Sequence, residues 1–282
     1  MKSYTLTAAA LLAAGLIAGC GGGGGTTPVA GTSLVSGKVA DGYLGGATVF
    51  LDKNGNYQLD AGEPSTTTDE NGNYTLTVDP ADVGKYPIVA LAIKGQTIDK
   101  DTGMAVTSSY VLSMPAMAIS GTVSSNFISP MTSELREMME TGKYATMQQA
   151  MTDLAAKLKM PAGTNMLEDY MLANNTAMHT AAQNMASLMG SRMVQVMGTS
   201  GTTTTVDVNS YRGMMGTIFS NMSSIKGSNS QTAMTTLMGT MTTALGNMPM
   251  TGAGQPYTNM STAFRGGMMG RTSATTTGGM MP

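Results

Sequence analysis

The sequence predicts an α+β multidomain protein, with an N-terminal antiparallel β-sandwich followed by a C-terminal α-helical bundle and a disordered tail. Three observations predict it. Between residues 33 and 120, short apolar alternations of period two are cut by Asn-Gly and similar turn pairs. After Ser129-Pro130 the apolar spacing changes to three and four residues, and methionine fills many of those positions. From about Met250 the chain is Gly, Thr, Ser and Met with little period. The boundaries that follow are 1–19, 20–32, 33–120, 129–248 and 249–282.

The first segment, "MKSYTLTAAALLAAGLIAGC", carries one Lys, then an apolar run, then small residues ending at Cys20. The run is short for a spanning helix, which needs about 20 apolar residues, and reads as a signal peptide. Leu16-Ile17-Ala18-Gly19-Cys20 resembles the lipobox of bacterial lipoproteins. That resemblance implies cleavage before Cys20 and acylation of its thiol, with the membrane as first partner. Two or more acyl chains anchor stably. Cys20 is the single Cys, so the mature chain holds no disulfide and must be stabilised by its core or by ions. Gly21 to Gly25 and "TTPVAGTS" form a flexible tether. By resemblance to Gram-negative lipoproteins, Gly rather than Asp at position 21 implies the outer membrane.

Composition narrows the function classes. Charged residues are 11% of the chain and aromatics 5%; there is no Trp and one His, but there are 30 Met and 36 Gly. From Asp41 to Asp101 ten Asp or Glu face four Lys, whereas from residue 171 onward Asp207 is the one acid against five Lys or Arg. Five scattered cations are too dilute for a nucleic-acid footprint.

The strand region opens with "LVSGKVA". In "ATVFL" Ala47, Val49 and Leu51 share a face, and in "NYTLTV" Tyr74, Leu76 and Val78 do the same. "PIVALAI" (87–93) is a continuous run, as expected of a strand buried on both sides, and Val106 to Leu112 gives another. Asn-Gly at 54–55 and 71–72, Lys-Gly at 94–95 and Thr-Gly at 102–103 mark the turns. Short strands at this spacing predict an antiparallel sandwich.

"VADGYLGGATVFLDKNGNYQLDAGEPSTTTDENGNYTLTV" resembles the prealbumin-like modules of bacterial surface proteins, including adhesin B-type repeats and carboxypeptidase-regulatory-like domains. The resemblance implies a stalk or spacer, not itself catalytic, of a kind that in several cases binds calcium.

Within it, "DKNGNYQLDAGE" places Asp52, Asn54, Asn56, Gln58, Asp60 and Glu63 at the ligand positions of a turning calcium loop, with Gln58 giving its backbone carbonyl. Calcium takes about six to eight oxygens. One departure stands out: Tyr57 occupies the position where Gly ordinarily supplies a positive φ, at a cost of about 1 kcal/mol or more. The competing reading is a polar hairpin loop whose Asn and Asp side chains bond their own backbone. "DENGNY" (69–74) and "DKDTG" (99–103) read as turns.

In the second half, Ser129 followed by Pro130 predicts a capped helix start, and Thr146 with Gln149 a capping box. A long helix is expected from about Met166 to Met197, bent near Asn174-Asn175, then one through Tyr211 to Ile225 and one through Met234 to Met248. "ISPMTSELREMMETGKYATMQQAMTDLAAKLKMPAGTNMLEDYM" resembles a helical segment that follows prealbumin-like modules in bacterial lipoproteins, which implies architecture alone.

Met214-Met215, Met248 with Met250, Met268-Met269 and Met280-Met281, with His179, form a candidate soft-metal set, since thioethers suit Cu(I). Met as a pliable core residue explains the helical stripes as well. Glu134, Glu137 and Glu140 read as a solvated helix face. Without a second His, a zinc-ligand spacing or a phosphate loop, the expectation is a non-enzymatic, lipid-anchored envelope protein. A calcium-stabilised spacer would present helices to a partner, with a copper-binding protein as the alternative.

Overall fold

Alternation decides the first sheet. The structure, a computed structural model, describes residues 31–119, 126–200 and 203–227, with Thr236 and Gly239. Strand β1 (Ser33–Val39) is followed by β2 (Leu44–Gly45), β3 (Thr48–Leu51), β4 (Ser65–Thr67) and β5 (Asn73–Val78). Tyr74, Leu76 and Val78 of β5 are buried and the residues between them exposed, as the period of two requires. β5 pairs antiparallel with β1, Val35 opposite Leu76 and Gly37 opposite Tyr74.

Next come β6 (Ile88–Ala92), β7 (Ile98–Asp99), β8 (Met104–Ala105), β9 (Tyr110–Met114) and β10 (Asn126–Ile128). β6 is central in the antiparallel order β4-β3-β6-β9, and four of its five residues are buried, in keeping with an uninterrupted apolar run. β2, β7 and β8 form a small antiparallel sheet. β10 departs from the antiparallel expectation and pairs parallel with β1. Gly37 permits this approach: a Cβ there would stand 1.9 Å from the carbonyl oxygen of Asn126.

Helix α1 (Pro130–Glu140) starts where Ser129 accepts from the Thr132 backbone and Thr132 closes the capping box, with Pro at the first turn. The same turn binds β9: Thr132 Oγ1 donates to the carbonyl of Ser113 at 2.8 Å, and Ser113 N donates to Ser133 Oγ at 2.8 Å. Helix α2 (Met147–Lys157) opens on the expected box of Thr146 and Gln149.

The third helix is shorter than its apolar spacing predicts. α3 spans Thr176–Val196 because Asn175 caps it, accepting from Met178 N, and Asn174 before it turns back at φ 54°. After α3, β11 (Met197–Ser200) and β12 (Thr203–Val206) make an antiparallel hairpin where no strand was expected. Its Thr run is β-branched, which favours extended backbone. Asp207 then caps α4 (Val208–Ser220), and α5 (Met222–Gly227) follows, so the stretch from Tyr211 to Ile225 is two helices.

Strands and helices share one core. Val49, Ile88, Val89 and Leu112 from the sheets belong to the same buried cluster as Leu135, Leu154, Met178, Met185, Met189, Met214 and Met215. Tyr211 of α4 donates to the carbonyl of Val111 in β9 at 3.1 Å. The described residues thus make an α+β fold of several antiparallel sheets and packed helices. Among them no helix is long and apolar enough to cross a membrane. The leader, Cys20, the tether up to residue 30, the expected Met234–Met248 helix and the 249–282 tail lie outside the described residues, save Thr236 and Gly239.

Candidate functional site

The loop from Asp52 to Glu63 leaves β3 and returns to β4. Its side chains close on the loop itself. Asp52 Oδ1 accepts from Gly55 N at 2.8 Å and Asn56 N at 3.1 Å, and its Oδ2 from Tyr57 N at 3.2 Å. Asn54 Oδ1 accepts from Asn56 N, and Asn56 Oδ1 from Gln58 N. Both amide nitrogens, of Asn54 at 2.7 Å and Asn56 at 2.8 Å, donate to Asp60 Oδ2. Glu63 ties the ends, accepting from Lys53 N at 2.7 Å and Asp60 N at 3.0 Å.

Of the six expected ligands, then, Asn54, Asn56 and Asp60 converge on one oxygen at the outer side of the loop, and Glu63 spans its neck. Asp52 is turned inward. It is wholly buried, and its Oδ2 also accepts from Arg136 Nη2 at 2.9 Å. The Gln58 side chain reaches away, donating to the carbonyl of Val206 at 3.5 Å.

Tyr57 meets the conformational demand at its position directly. Its φ is 61°, in the left-handed region where Gly is usual. What offsets that strain lies beneath it. The ring is 1% exposed, its centroid stands 4.5 Å from that of Tyr211, and the Arg136 guanidinium lies 3.9 Å from its face. Its hydroxyl donates to Glu137 Oε1.

Here the helix acids depart from expectation. Glu134 and Glu137 are not a solvated face: Glu134 is fully buried and Glu137 is 2% exposed. Around them α1 meets β9 through Ser133, α4 through Arg212 and the loop through Tyr57. Burial pushes the Glu137 carboxyl up, and Glu140 adds to the rise, while Arg136 and Arg212 oppose it. Glu134 is driven well above the ordinary carboxylate range, by burial first and Glu137 second, and neither of its oxygens has a hydrogen-bond partner. Arg136 also donates from Nε to Glu140 Oε1 at 2.8 Å, and Arg212 Nε lies 3.5 Å from Glu137 Oε2. The result is a buried polar seam between loop, α1 and α4. No sequence signal pairs Asp52 with Arg136 or Tyr57 with Glu137, since each pair is about eighty residues apart.

The soft-metal candidates divide. Met214 and Met215 are buried in the core, while Met248, Met250, Met268, Met269, Met280 and Met281 lie outside the described residues. His179 stands 2.6 Å from Asp101 Oδ2 through Nε2 and stacks on Tyr170 at 5.9 Å, whereas its neighbour Met178 is turned into the core. Among the described residues, no group of three or more His, Cys, Asp and Glu side chains is arranged to hold a metal ion.

The chain matches no protein-family model, no curated protein and no solved structure.

Proposed function

We propose that the chain is a non-enzymatic, lipid-anchored protein of the bacterial cell envelope, held by an acylated Cys20 to the outer membrane of a Gram-negative cell. In this reading the strand region is a prealbumin-like sandwich that serves as spacer, and the helices behind it form a bundle that meets a protein or envelope partner. The observation that carries it is the fate of the loop 52–63. Asp52, Tyr57 and Gln58 each bind a residue of the helical half: Arg136, Glu137 and Val206. The most distinctive polar segment of the chain is spent on joining strands to helices, which suits a stiff spacer that carries load to the elements behind it.

Calcium at the loop belongs to the same proposal. The donor set fits a hard cation at the outer side, where Asn54, Asn56, Asp60 and Glu63 lie together. Asp60 Oδ2 already collects two amide N–H groups there, electropositive contacts whose place a cation would take. Asp52 is committed to Arg136 and stands outside this set.

Two measurements test the reading. Labelled palmitate should enter the full chain in a bacterial host and should be lost in Cys20→Ala; labelling unchanged by that substitution removes the anchor. For a site with a dissociation constant of about 10⁻⁴ to 10⁻³ M, 10 mM calcium should stabilise the full chain by about 1–3 kcal/mol. The double variant Asp60→Ala with Glu63→Ala should abolish that gain. An equal gain in wild type and variant would mean that the loop is only a turn.

A further inference from the structure

Beside the small β2-β7-β8 sheet, a cavity of about 470 Å³ opens between the β7–β8 hairpin, the approach to β9 and α3. Asp41, Asp99, Thr102, Met104, Ser108 and Ser187 are among its walls. Its volume falls in the range of small-molecule sites, about 300–1,000 Å³.

The chemistry of the cavity is one-sided. Asp99 Oδ1 and Asp101 Oδ2 both lie 2.6 Å from the point where a Cβ on Gly42 would stand, so the missing side chain draws two carboxylates beside Asp41. Asp41 Oδ2 accepts from the Tyr110 hydroxyl at 2.9 Å, but Oδ1 is shut off from water and has no hydrogen-bond partner. Such an acceptor is costly unless something satisfies it. Burial raises the Asp41 carboxyl to about 7, and Asp99 and Asp101 add to the rise against the Tyr110 bond. Among the described residues, His179 meets the cluster, and together with the Gln183 amide it is bound to Asp101 Oδ2 rather than to Asp41. Met104, also in the cavity wall, is 64% exposed, an apolar surface left in water.

We propose that this cavity binds a primary alkylammonium group on a short methylene chain. An ammonium carries three donors and a full charge, which suits a wall that holds the carboxylates of Asp41 and Asp99. The methylenes then cover Met104 and Val106, which share the cavity wall with Thr102, Ser108 and Ser187. The carboxylates rather than the apolar lip set the specificity, because a charged ammonium pairs with a carboxylate much more strongly than a neutral hydroxyl does.

Saturation-transfer NMR on the full chain with pentylamine, against pentan-1-ol as the uncharged match, tests the proposal. Pentylamine should saturate near about 1 mM, the affinity open to so small a ligand, and pentan-1-ol should give no saturable signal. Asp41→Asn should weaken pentylamine at least tenfold. Ser187→Met, which fills the cavity from α3 without touching a carboxylate, should weaken it similarly. That second variant decides the matter if circular dichroism shows Asp41→Asn unfolded. No transfer to pentylamine, equal transfer to pentan-1-ol, or binding unchanged in the folded variants would overturn the assignment.

Discussion

Arg136 Nη2 donates to Asp52 Oδ2 at 2.9 Å, and both side chains are fully excluded from solvent. A buried pair of this kind is weak evidence of net stability, because desolvation of both ions offsets much of their attraction. Its removal by halves is another matter. Asp52→Ala leaves Arg136 buried without its inner partner and also frees the backbone donors of Gly55, Asn56 and Tyr57. We expect a loss of about 3–5 kcal/mol in urea unfolding. Asp52→Ala combined with Arg136→Met should cost less than the two single losses added together. Strict additivity would show that the contact does not couple loop to helix.

Tyr57 offers a sharper test, because two effects oppose each other there. Tyr57→Gly relieves a left-handed backbone by about 1 kcal/mol, but removes a buried ring worth about 3–5 kcal/mol. The net expectation is a loss of about 2–4 kcal/mol, with the ring winning. Tyr57→Phe keeps the ring and strips one donor from Glu137, costing about 1–3 kcal/mol. A glycine variant that melts above wild type would mean that the loop, not the seam beneath it, dictates this residue.

What the sequence made legible was local. Tyr74, Leu76 and Val78 alternate because one face of β5 is buried, and Ser129 and Thr146 cap helices through partners three residues on. The turns at 71–72 and 102–103 carry Gly at positive φ, as their residue types require. What was hidden is non-local. Glu134 and Glu137 look like surface acids until β9, α4 and Tyr57 arrive to cover them. The parallel β1–β10 pair rests on a gap at Gly37 that only the partner strand defines. Likewise Asp99 is a plain turn residue in sequence, and it joins Asp41 in a cluster because Gly42 lets the hairpin approach.

Glu134 predicts the pH response. Its carboxyl is raised well above its ordinary 4.5 in the folded chain, so the native state keeps a proton that the unfolded state releases. The stability held by that proton is complete below the ordinary value and is lost as pH rises toward the folded one. Wild type should therefore lose stability from pH 5 to pH 8, with a slope up to about 1.4 kcal/mol per pH unit for each such group. Glu134→Gln, neutral throughout, should flatten that slope and stand above wild type at pH 8. Asp41 and Glu137 are raised too, so a residual slope should persist. Parallel curves for wild type and variant would place the titrating group elsewhere.

Methionine chemistry can be tested by exchange. Met185, Met189, Met214 and Met215 are each fully buried, packed with the strand apolar residues in one core. If they serve as pliable filler, a swap to Leu conserves volume and should cost less than about 1.5 kcal/mol. Met189→Ala should cost about 2–5 kcal/mol, since it opens a cavity between α3 and its neighbours. A Cu(I) role for the same sulfurs makes the opposite demand: a thioether that Leu cannot replace, and a route for the ion into a closed core. Cu(I) titration of the full chain and of the Met214→Leu, Met215→Leu double variant separates the two. The packing account expects identical stoichiometry and a near-native melting temperature. Loss of bound copper from the double variant, with its fold intact, would move these methionines from core to site.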